Sequence, residues 1–268
     1  YKDNWKEGDY DRTIKWIALY MKGHVAKVEQ YYSKLVFDKM QTAQMVNLIQ
    51  TLYNAGKEEA VKTYQMGRST VLKLKPGIPD AVLEELALSI FTKDGEAVQF
   101  LCKKMQDLDR GKWVLFQYYA SSPIPAEKDK GLALAPELLT LPAYAKEVYW
   151  IRAEIYCYKS MWTEAINDYM MADRPPASYY MIADCYMSAK KPQQAIQQLS
   201  EIETFFAAEA PQAALKIAYV YRTINQKEKY VANLRGVLKK YPGSRQSSTA
   251  HQLLQAMGYK SGGAEDAK

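Results

Sequence analysis

Apolar residues recur at helical spacing along most of the chain, and short polar or glycine-containing breaks separate the stripes. Gly23 ends the first stripe, and a last amphipathic segment runs to Gly258. Asp80 and Ser244 stand where helix caps are expected, directly before or at the start of a stripe. The pattern predicts an all-α chain of antiparallel helical hairpins, with about 12–14 helices.

Residues 146–203 contain one arrangement of small and aromatic residues twice. In the first copy Ala153 and Ala165 are separated by twelve positions, and in the second copy Ala183 and Ala195 have the same separation. A tyrosine follows the first alanine of each copy by three positions. Small side chains let two antiparallel helices approach closely, and the aromatic residues fill the seam beside that contact. We therefore predict two consecutive helical hairpins here.

This signature resembles the tetratricopeptide repeat, a helix–turn–helix unit with a period of about 34 residues. The resemblance covers 146–258 well and 41–107 loosely. A third copy has Ala218 on its first helix, but Tyr230 stands where the second alanine is expected. The resemblance implies a right-handed α-solenoid of hairpins that ends in a capping helix. Residues 241–258 are also similar to tetratricopeptide proteins of the bacterial cell envelope.

Breaks in the pattern divide the chain into four segments. Residues 1–120 are predicted to form a divergent helical-repeat subarray. Residues 121–142 contain several prolines and many leucines, which predicts a degenerate repeat or a junction between subarrays. Residues 143–259 are predicted to form the tetratricopeptide subarray with its capping helix. The polar residues 260–268 are predicted to be a disordered tail.

The sequence offers little that could catalyse a reaction. His24 and His251 are the only histidines and lie far apart, so neither a metal site nor a histidine acid–base pair is expected. The chain has no glycine-rich phosphate loop and no nucleophile-elbow motif. We predict a non-catalytic protein without a cofactor.

Three cysteines, Cys102, Cys157 and Cys185, show no closely spaced pair. An odd number in a chain of this length argues against a disulfide framework. We expect all three to serve as small apolar side chains inside helices. A bridge between Cys157 and Cys185 stays open, but their positions in successive repeats are not equivalent and it is not expected.

Charge is distributed unevenly around a formal net charge of +6. Residues 146–209 hold six basic and nine acidic side chains, whereas residues 210–260 hold nine basic side chains and only Glu228 as an acid. An acidic middle followed by a basic end points to two surfaces with different partners.

In the resembling family, certain positions of the first helices line the concave face of the solenoid. Carried over by position, these residues combine aromatic rings with three acids, which suits a peptide or helix with apolar and basic groups. The alternative is that the rings pack between neighbouring helices. The predicted groove consists of Glu147, Trp150, Glu154, Tyr158, Tyr180, Asp184, Met187, Tyr219 and Arg222.

The basic end is a second candidate surface. It would attach the protein to anionic lipid, a polyanion or an acidic protein, and the alternative is an ordinary solvated helix face. Nucleic acid fits it least, because the basic residues lack the interleaved aromatics of a stacking platform. The predicted basic patch consists of Arg222, Lys227, Lys229, Arg235, Lys239, Lys240 and Arg245.

These features predict a protein-interaction scaffold that binds a protein or peptide partner. No apolar run reaches the length of about 18 residues that a membrane span needs. A homo-oligomer and a peripheral membrane contact stay open. The chain begins at Tyr1, which leaves open that a signal, anchor or upstream segment was removed. Together with the cell-envelope resemblance, this favours a bacterial periplasm over the cytoplasm.

Overall fold

The computed structural model describes residues 5–56 and 59–259, and within these ranges the chain forms fifteen α-helices, one short 3₁₀ turn and no strand. The chain divides into two compact units, residues 1–138 and 139–268. This division falls inside the segment 121–142, and the four-segment organisation stays a prediction. The predicted disordered tail, 260–268, lies outside the described residues.

The helices of the first unit are α1 Glu7–Tyr20, α2 Val25–Tyr32, α3 Thr42–Tyr53, α4 Ala60–Leu72, α5 Asp80–Ser89, α6 Gly95–Lys104, α7 Leu108–Ser121 and α8 Pro125–Leu139. Helices α1 to α7 form hairpins in which each helix also contacts the helix two positions away, so that odd-numbered and even-numbered helices form two rows.

A buried carboxylate joins three helices of this unit. Asp94 precedes α6 and caps it by accepting from the backbone N–H of Ala97 at 3.1 Å. Its two oxygens also accept from Arg68 of α4 at 2.7 and 2.9 Å and from the hydroxyl of Tyr53 of α3 at 2.6 Å. Burial alone would raise the pKa of Asp94, but these hydrogen bonds outweigh it and lower the pKa. The carboxylate therefore stays ionised and holds the hairpins together.

Asp80 does not cap its own helix, so that prediction is wrong. The residue before α5 is Pro79, and the Asp80 carboxylate instead accepts from the backbone N–H groups of Gln106 and Asp107 at 2.9 and 2.8 Å. These two hydrogen bonds lower the pKa of Asp80. The side chain thus accepts hydrogen bonds from backbone N–H groups of the turn before α7. This role depends on tertiary packing rather than on local sequence.

Helix α8 accounts for the difference between fifteen helices and the predicted range. It begins at Pro125, where the fixed φ of proline suits the first helical turn, and it continues through Pro136. Pro136 removes one backbone hydrogen bond but lies three residues before the helix ends, so little of the ladder is lost. The leucines of this segment favour a helix because Leu138 is fully buried.

The second unit consists of three helical pairs and a last helix, each packed on its neighbour. We call α9, α11 and α13 the first helices and α10, α12 and α14 the second helices. Their bounds are α9 Pro142–Tyr158, α10 Trp162–Ala172, α11 Ala177–Ser188, α12 Pro192–Phe205, α13 Ala210–Thr223, α14 Lys227–Lys240 and α15 Arg245–Ala256.

The predicted contact alanines lie in the cores of the first two pairs. Ala153, Ala165 and Ala195 have no exposed surface, and Ala183 retains 1%. In the third pair Tyr230 takes the place of the second alanine and is still buried. The first two pairs therefore close around the alanines that the sequence predicts.

The turns inside the three pairs share one backbone geometry. Ser160, Lys190 and Asn225 adopt left-handed φ values of 59°, 59° and 58°. In each turn the next backbone N–H donates to the carbonyl of the tyrosine four residues before the left-handed residue, at 2.8–2.9 Å. This six-to-one bond is the Schellman closure of a helix C-terminus. The repeat is thus visible in the backbone as well as in the side chains.

The cap of the last helix is confirmed. The Ser244 hydroxyl accepts from the backbone N–H of Ser247 at 3.0 Å, and α15 follows directly. Helix α15 packs on both α13 and α14 through Ala250 and Leu254, which are fully buried. It therefore covers the end of the third pair in the way a capping helix does.

Replacing Ala153 by leucine tests the packing of the first pair. The larger side chain has no space between α9 and α10, so we expect the free energy of unfolding to fall by about 1–3 kcal/mol in urea titrations. Ala143, which is exposed on the same helix, provides the control, and Ala143→Leu should leave stability unchanged. Equal stability of both variants would contradict the helix packing described here.

Candidate protein-binding surface on the first helices

Each first helix carries an aromatic ring with a cation placed over it. Arg174 lies 5.2 Å from the ring centre of Trp150, Lys216 lies 5.1 Å from that of Tyr180, and Arg222 lies 4.8 Å from that of Tyr219. Such contacts hold both partners in place while leaving part of each ring open to solvent. Each of the three aromatic rings predicted for the groove is therefore held in place by a neighbouring cation.

Trp150 combines packing with exposure. Its ring meets the buried Tyr169 of α10 edge to face, with centres 5.0 Å apart. Its indole N–H donates to the carboxylate of Glu154 at 3.1 Å. The ring is half-buried, so it contributes to the seam of the first pair and still presents an edge to solvent.

Tyr180 links one first helix to the next. Its hydroxyl donates to the carboxylate of Glu209, just before α13, at 3.0 Å. Burial raises the pKa of Tyr180, and Glu209 raises it further, so the hydroxyl keeps its proton and remains a donor. This hydrogen bond and the Lys216 contact tie α11 to α13.

The acids predicted as a negative rim are largely compensated by nearby groups. Glu147 forms an ion pair with Arg174, and Asp184 lies 3.4 Å from the ammonium of Lys216. Glu154 is exposed and accepts from Trp150. The local charge is thus closer to neutral than the nine predicted residues suggest, because Arg174 and Lys216 lie outside that set.

A surface pocket of about 220 Å³ opens between α11 and α13. Asp184, Met187 and Tyr219 line it, as the sequence predicted for the groove, and Lys216 and Thr223 complete its polar edge. Its remaining lining is apolar: Ala183, Leu199 and Val220. Such a pocket can take one apolar side chain next to a charged pair.

The pocket does not include the other predicted groove residues. Glu147, Trp150 and Glu154 form a cluster of their own on α9, and Tyr158, at the end of that helix, is 54% exposed. Tyr180 lies at the contact between α11 and α13 described above. The structure thus separates the predicted groove into a tryptophan cluster and a pocket.

Residues 177–204 and 212–244 match the family model of the tetratricopeptide repeat. The chain contains tetratricopeptide repeats. The matched ranges correspond to the pair α11–α12 and to most of the pair α13–α14. The pair α9–α10, whose second helix is three residues shorter than α12, lies outside the match but has the same turn geometry. Repeats of this family are typically non-catalytic scaffolds for protein interactions.

One similar solved structure is the tetratricopeptide-repeat domain of P58(IPK), which is 14% identical to this chain. The alignment covers 94% of this chain and 80% of that chain, with a TM-score of 0.29. That score is too low to support an argument, so the assignment depends on the match of the repeats. No curated protein matches the chain.

Five of the seven residues of the predicted basic patch lie on α14, a helix whose two ends lie about 20 Å apart, whereas Arg222 lies on α13 and Arg245 begins α15. Lys227, at the start of α14, and Arg235, further along it, lie over the ring of Tyr259, at 5.9 and 5.7 Å. Arg222 lies over the ring of Tyr219. Lys229 lies over the ring of Tyr221 at 5.5 Å.

At the other end of α14, Lys240 donates to Glu203 at 2.8 Å. Lys239 and Arg245 are exposed, and no carboxylate in the described part of the chain pairs with them. The seven basic residues therefore have different surroundings: Arg222, Lys227, Lys229 and Arg235 contact aromatic rings, whereas Lys239 and Arg245 are exposed at this end.

No group of three or more histidine, cysteine or carboxylate side chains in the described ranges could hold a metal ion. None of the helices described is long and apolar enough to cross a membrane.

Sequence reasoning missed Arg174, Lys216 and Glu209, which position the aromatic rings. The only available signal was the spacing of about one repeat between partners, since 27 residues separate Glu147 from Arg174 and 32 separate Asp184 from Lys216. Pairs at this spacing come together only once consecutive repeats are stacked.

Replacing Trp150 by alanine should destabilise the first repeat. Removing a half-buried ring from its contact with Tyr169 should lower the free energy of unfolding by about 2 kcal/mol, measured by urea titration. Phe205→Ala is the control, because that ring is 74% exposed on α12 and its loss should change stability by about 0.5 kcal/mol or less. An unchanged unfolding midpoint for Trp150→Ala would show that the ring has no structural role.

Proposed function

We propose that the second unit is a non-catalytic interaction scaffold that binds a peptide or helix of a partner protein on the face of its first helices. The observation that carries this proposal is the pocket between α11 and α13, where an apolar floor meets the Asp184–Lys216 pair. Three of its lining residues, Asp184, Met187 and Tyr219, are predicted from the sequence for the groove, and both helices belong to the matched repeats.

An apolar side chain is the anchor that this pocket suits best. Its floor is formed by Ala183, Leu199 and Val220, and Met187 can adjust its flexible side chain to different shapes. Because Asp184 and Lys216 compensate each other, the pocket has no strong preference for a charged anchor. Specificity would come from hydrogen bonds of the partner to these two charged groups at the rim.

The tryptophan cluster on α9 would extend the same contact. The exposed edge of Trp150 and the exposed Tyr158 offer apolar area, and Glu154 offers a carboxylate. A partner segment with an apolar anchor and a lysine or arginine further along could contact both places. The proposed ligand is therefore still a peptide or helix with apolar and basic groups, and the pocket is the main site that holds its apolar side chain. A periplasmic location stays a prediction.

Peptide selection against the immobilised protein tests the pocket directly. Peptides enriched from a displayed random library should contain an apolar or aromatic anchor, and Met187→Glu should weaken them at least about tenfold by fluorescence anisotropy, because it places an unpaired charge on the pocket wall. Met171→Glu is the matched control, since Met171 is 56% exposed on α10 outside the pocket.

Two results would contradict this proposal. If Met187→Glu binds the selected peptides as the parent protein does, the pocket is not the site. If both methionine variants lose binding equally, the effect is nonspecific. Circular dichroism melting of both variants separates loss of binding from loss of folding.

A second candidate function is attachment to an anionic surface through the end of α14. The exposed Lys239 and Arg245, without carboxylate partners in the described ranges, favour it. Exposed cations of this kind attract lipid headgroups, polyanions or acidic proteins without a shaped pocket. Lys240 contributes less, because Glu203 already accepts from it.

Charge reversal tests this second function. The double variant Lys239→Glu, Arg245→Glu should lose retention on heparin and on vesicles that contain an anionic lipid, and retention of the parent protein should fall steeply with salt. The control Lys190→Glu, Lys191→Glu carries the same charge change at exposed positions outside the patch and should retain binding. If both double variants lose retention equally, binding depends on net charge and not on this patch.

A further inference from the structure

Two cysteines from successive repeats meet inside the second unit. Cys157 near the end of α9 and Cys185 on α11 are 28 positions apart in sequence, yet their sulfur atoms are 3.4 Å apart. Both are free thiols in this structure. A disulfide bond needs a sulfur–sulfur distance of about 2.05 Å, so the two sulfurs must approach by little more than 1 Å for a bond to form.

The two thiols differ in how solvent reaches them. Cys157 is half-buried, whereas only 3% of the surface of Cys185 is exposed to solvent. A reagent from solution therefore reaches the Cys157 sulfur more readily than the buried Cys185 sulfur. This is the arrangement of an attacking thiol and a resolving thiol.

The surroundings favour a thiolate at Cys157. A hydrogen bond from Cys185 is the largest effect and lowers the pKa of Cys157 to about 7, against the opposing effect of burial. The Tyr169 hydroxyl lowers this pKa further, while Glu154 and Asp184 raise it. The pKa of Cys185 is raised by its hydrogen bond to Cys157 and by burial. Near neutral pH a substantial fraction of Cys157 is therefore thiolate, while Cys185 keeps its proton.

We propose that Cys157 and Cys185 form a reversible intramolecular disulfide by exchange with a low-molecular-weight disulfide. The Cys157 thiolate attacks one sulfur of the external disulfide and releases the first thiolate, which leaves a mixed disulfide on Cys157. Cys185 then loses its proton to solvent and attacks the Cys157 sulfur, which releases the second thiolate. The protein is oxidised by two electrons, and the external disulfide is reduced to two thiols.

The bond would connect α9 covalently to α11, the first helices of consecutive pairs. It would close a loop that contains all of α10 and both connecting turns, and closing such a loop restricts the unfolded chain. Oxidation should therefore raise the thermal midpoint of the second unit. The inference does not depend on the proposed function, because it needs no partner protein.

In the experiment, the full chain is equilibrated with oxidised glutathione and then denatured. The free thiols are labelled with a maleimide and counted from the intact mass. The parent protein should change from three labelled thiols to one and lose about 2 Da as a monomer. A non-reducing proteolytic map should then contain one peptide pair joined through Cys157 and Cys185. Cys102→Ser removes the buried thiol of the first unit and should change from two labelled thiols to none.

The single variants identify the role of each cysteine. Cys185→Ala should accumulate a stable glutathione adduct at Cys157, and the pH at which this reaction is half-maximal should rise towards the ordinary value of about 8.5, because the hydrogen bond is lost. Cys157→Ser should react far more slowly, since only a buried thiol remains in this unit.

The proposal is overturned if the oxidised parent protein keeps three thiols, forms a disulfide-linked dimer, or shows a joined peptide pair that includes Cys102. It is equally overturned if Cys157 reacts with the pH profile of an ordinary thiol in the parent protein. Peptide mapping of the parent protein decides the question even if a variant fails to fold.

Discussion

The close approach of two helices at a pair of alanines is the constraint on which the second unit depends. Ala153 and Ala165 are fully buried, and only side chains of this size let α9 and α10 pack backbone to backbone. Once that contact is made, Tyr169 fills the space beside it and meets Trp150 edge to face. The orientation of α9 against α10, and thus of the residues that α9 offers to a partner, follows from this seam.

Successive repeats share buried apolar residues, such as Tyr169 and Ile182, and they are also joined by polar contacts at the surface. Arg174 and Lys216 each contact an aromatic ring and a carboxylate of a preceding first helix. These cations keep the rings in one orientation before any partner arrives, which reduces the ordering cost of binding. They also cancel acidic charge, so the surface that looks acidic in sequence is nearly balanced in the folded protein.

The sequence predicted the parts of the structure that depend on local spacing. Twelve-residue separation of alanines identified the hairpins, and the Ser244 cap followed from its position before the last helix. Contacts between residues about one repeat apart were not predictable, because they depend on how one repeat is rotated against the next. Cys157 and Cys185 illustrate this: their positions in the repeat are not equivalent, yet their sulfurs are in contact. Asp80 failed as a cap for the same reason, since its partners lie two helices away.

The shared turn geometry has a consequence for how this array can change in length. All three turns inside the pairs span three residues, and both connections between pairs span four, whereas α10 has 11 residues and α12 has 14. The spacing between equivalent tyrosines grows from 30 to 35 residues without any change in a loop, because α12 is three residues longer than α10 and α13 is two residues longer than α11. The added residues lie at the helix ends remote from the turns inside the pairs, so repeats of different length share one turn geometry.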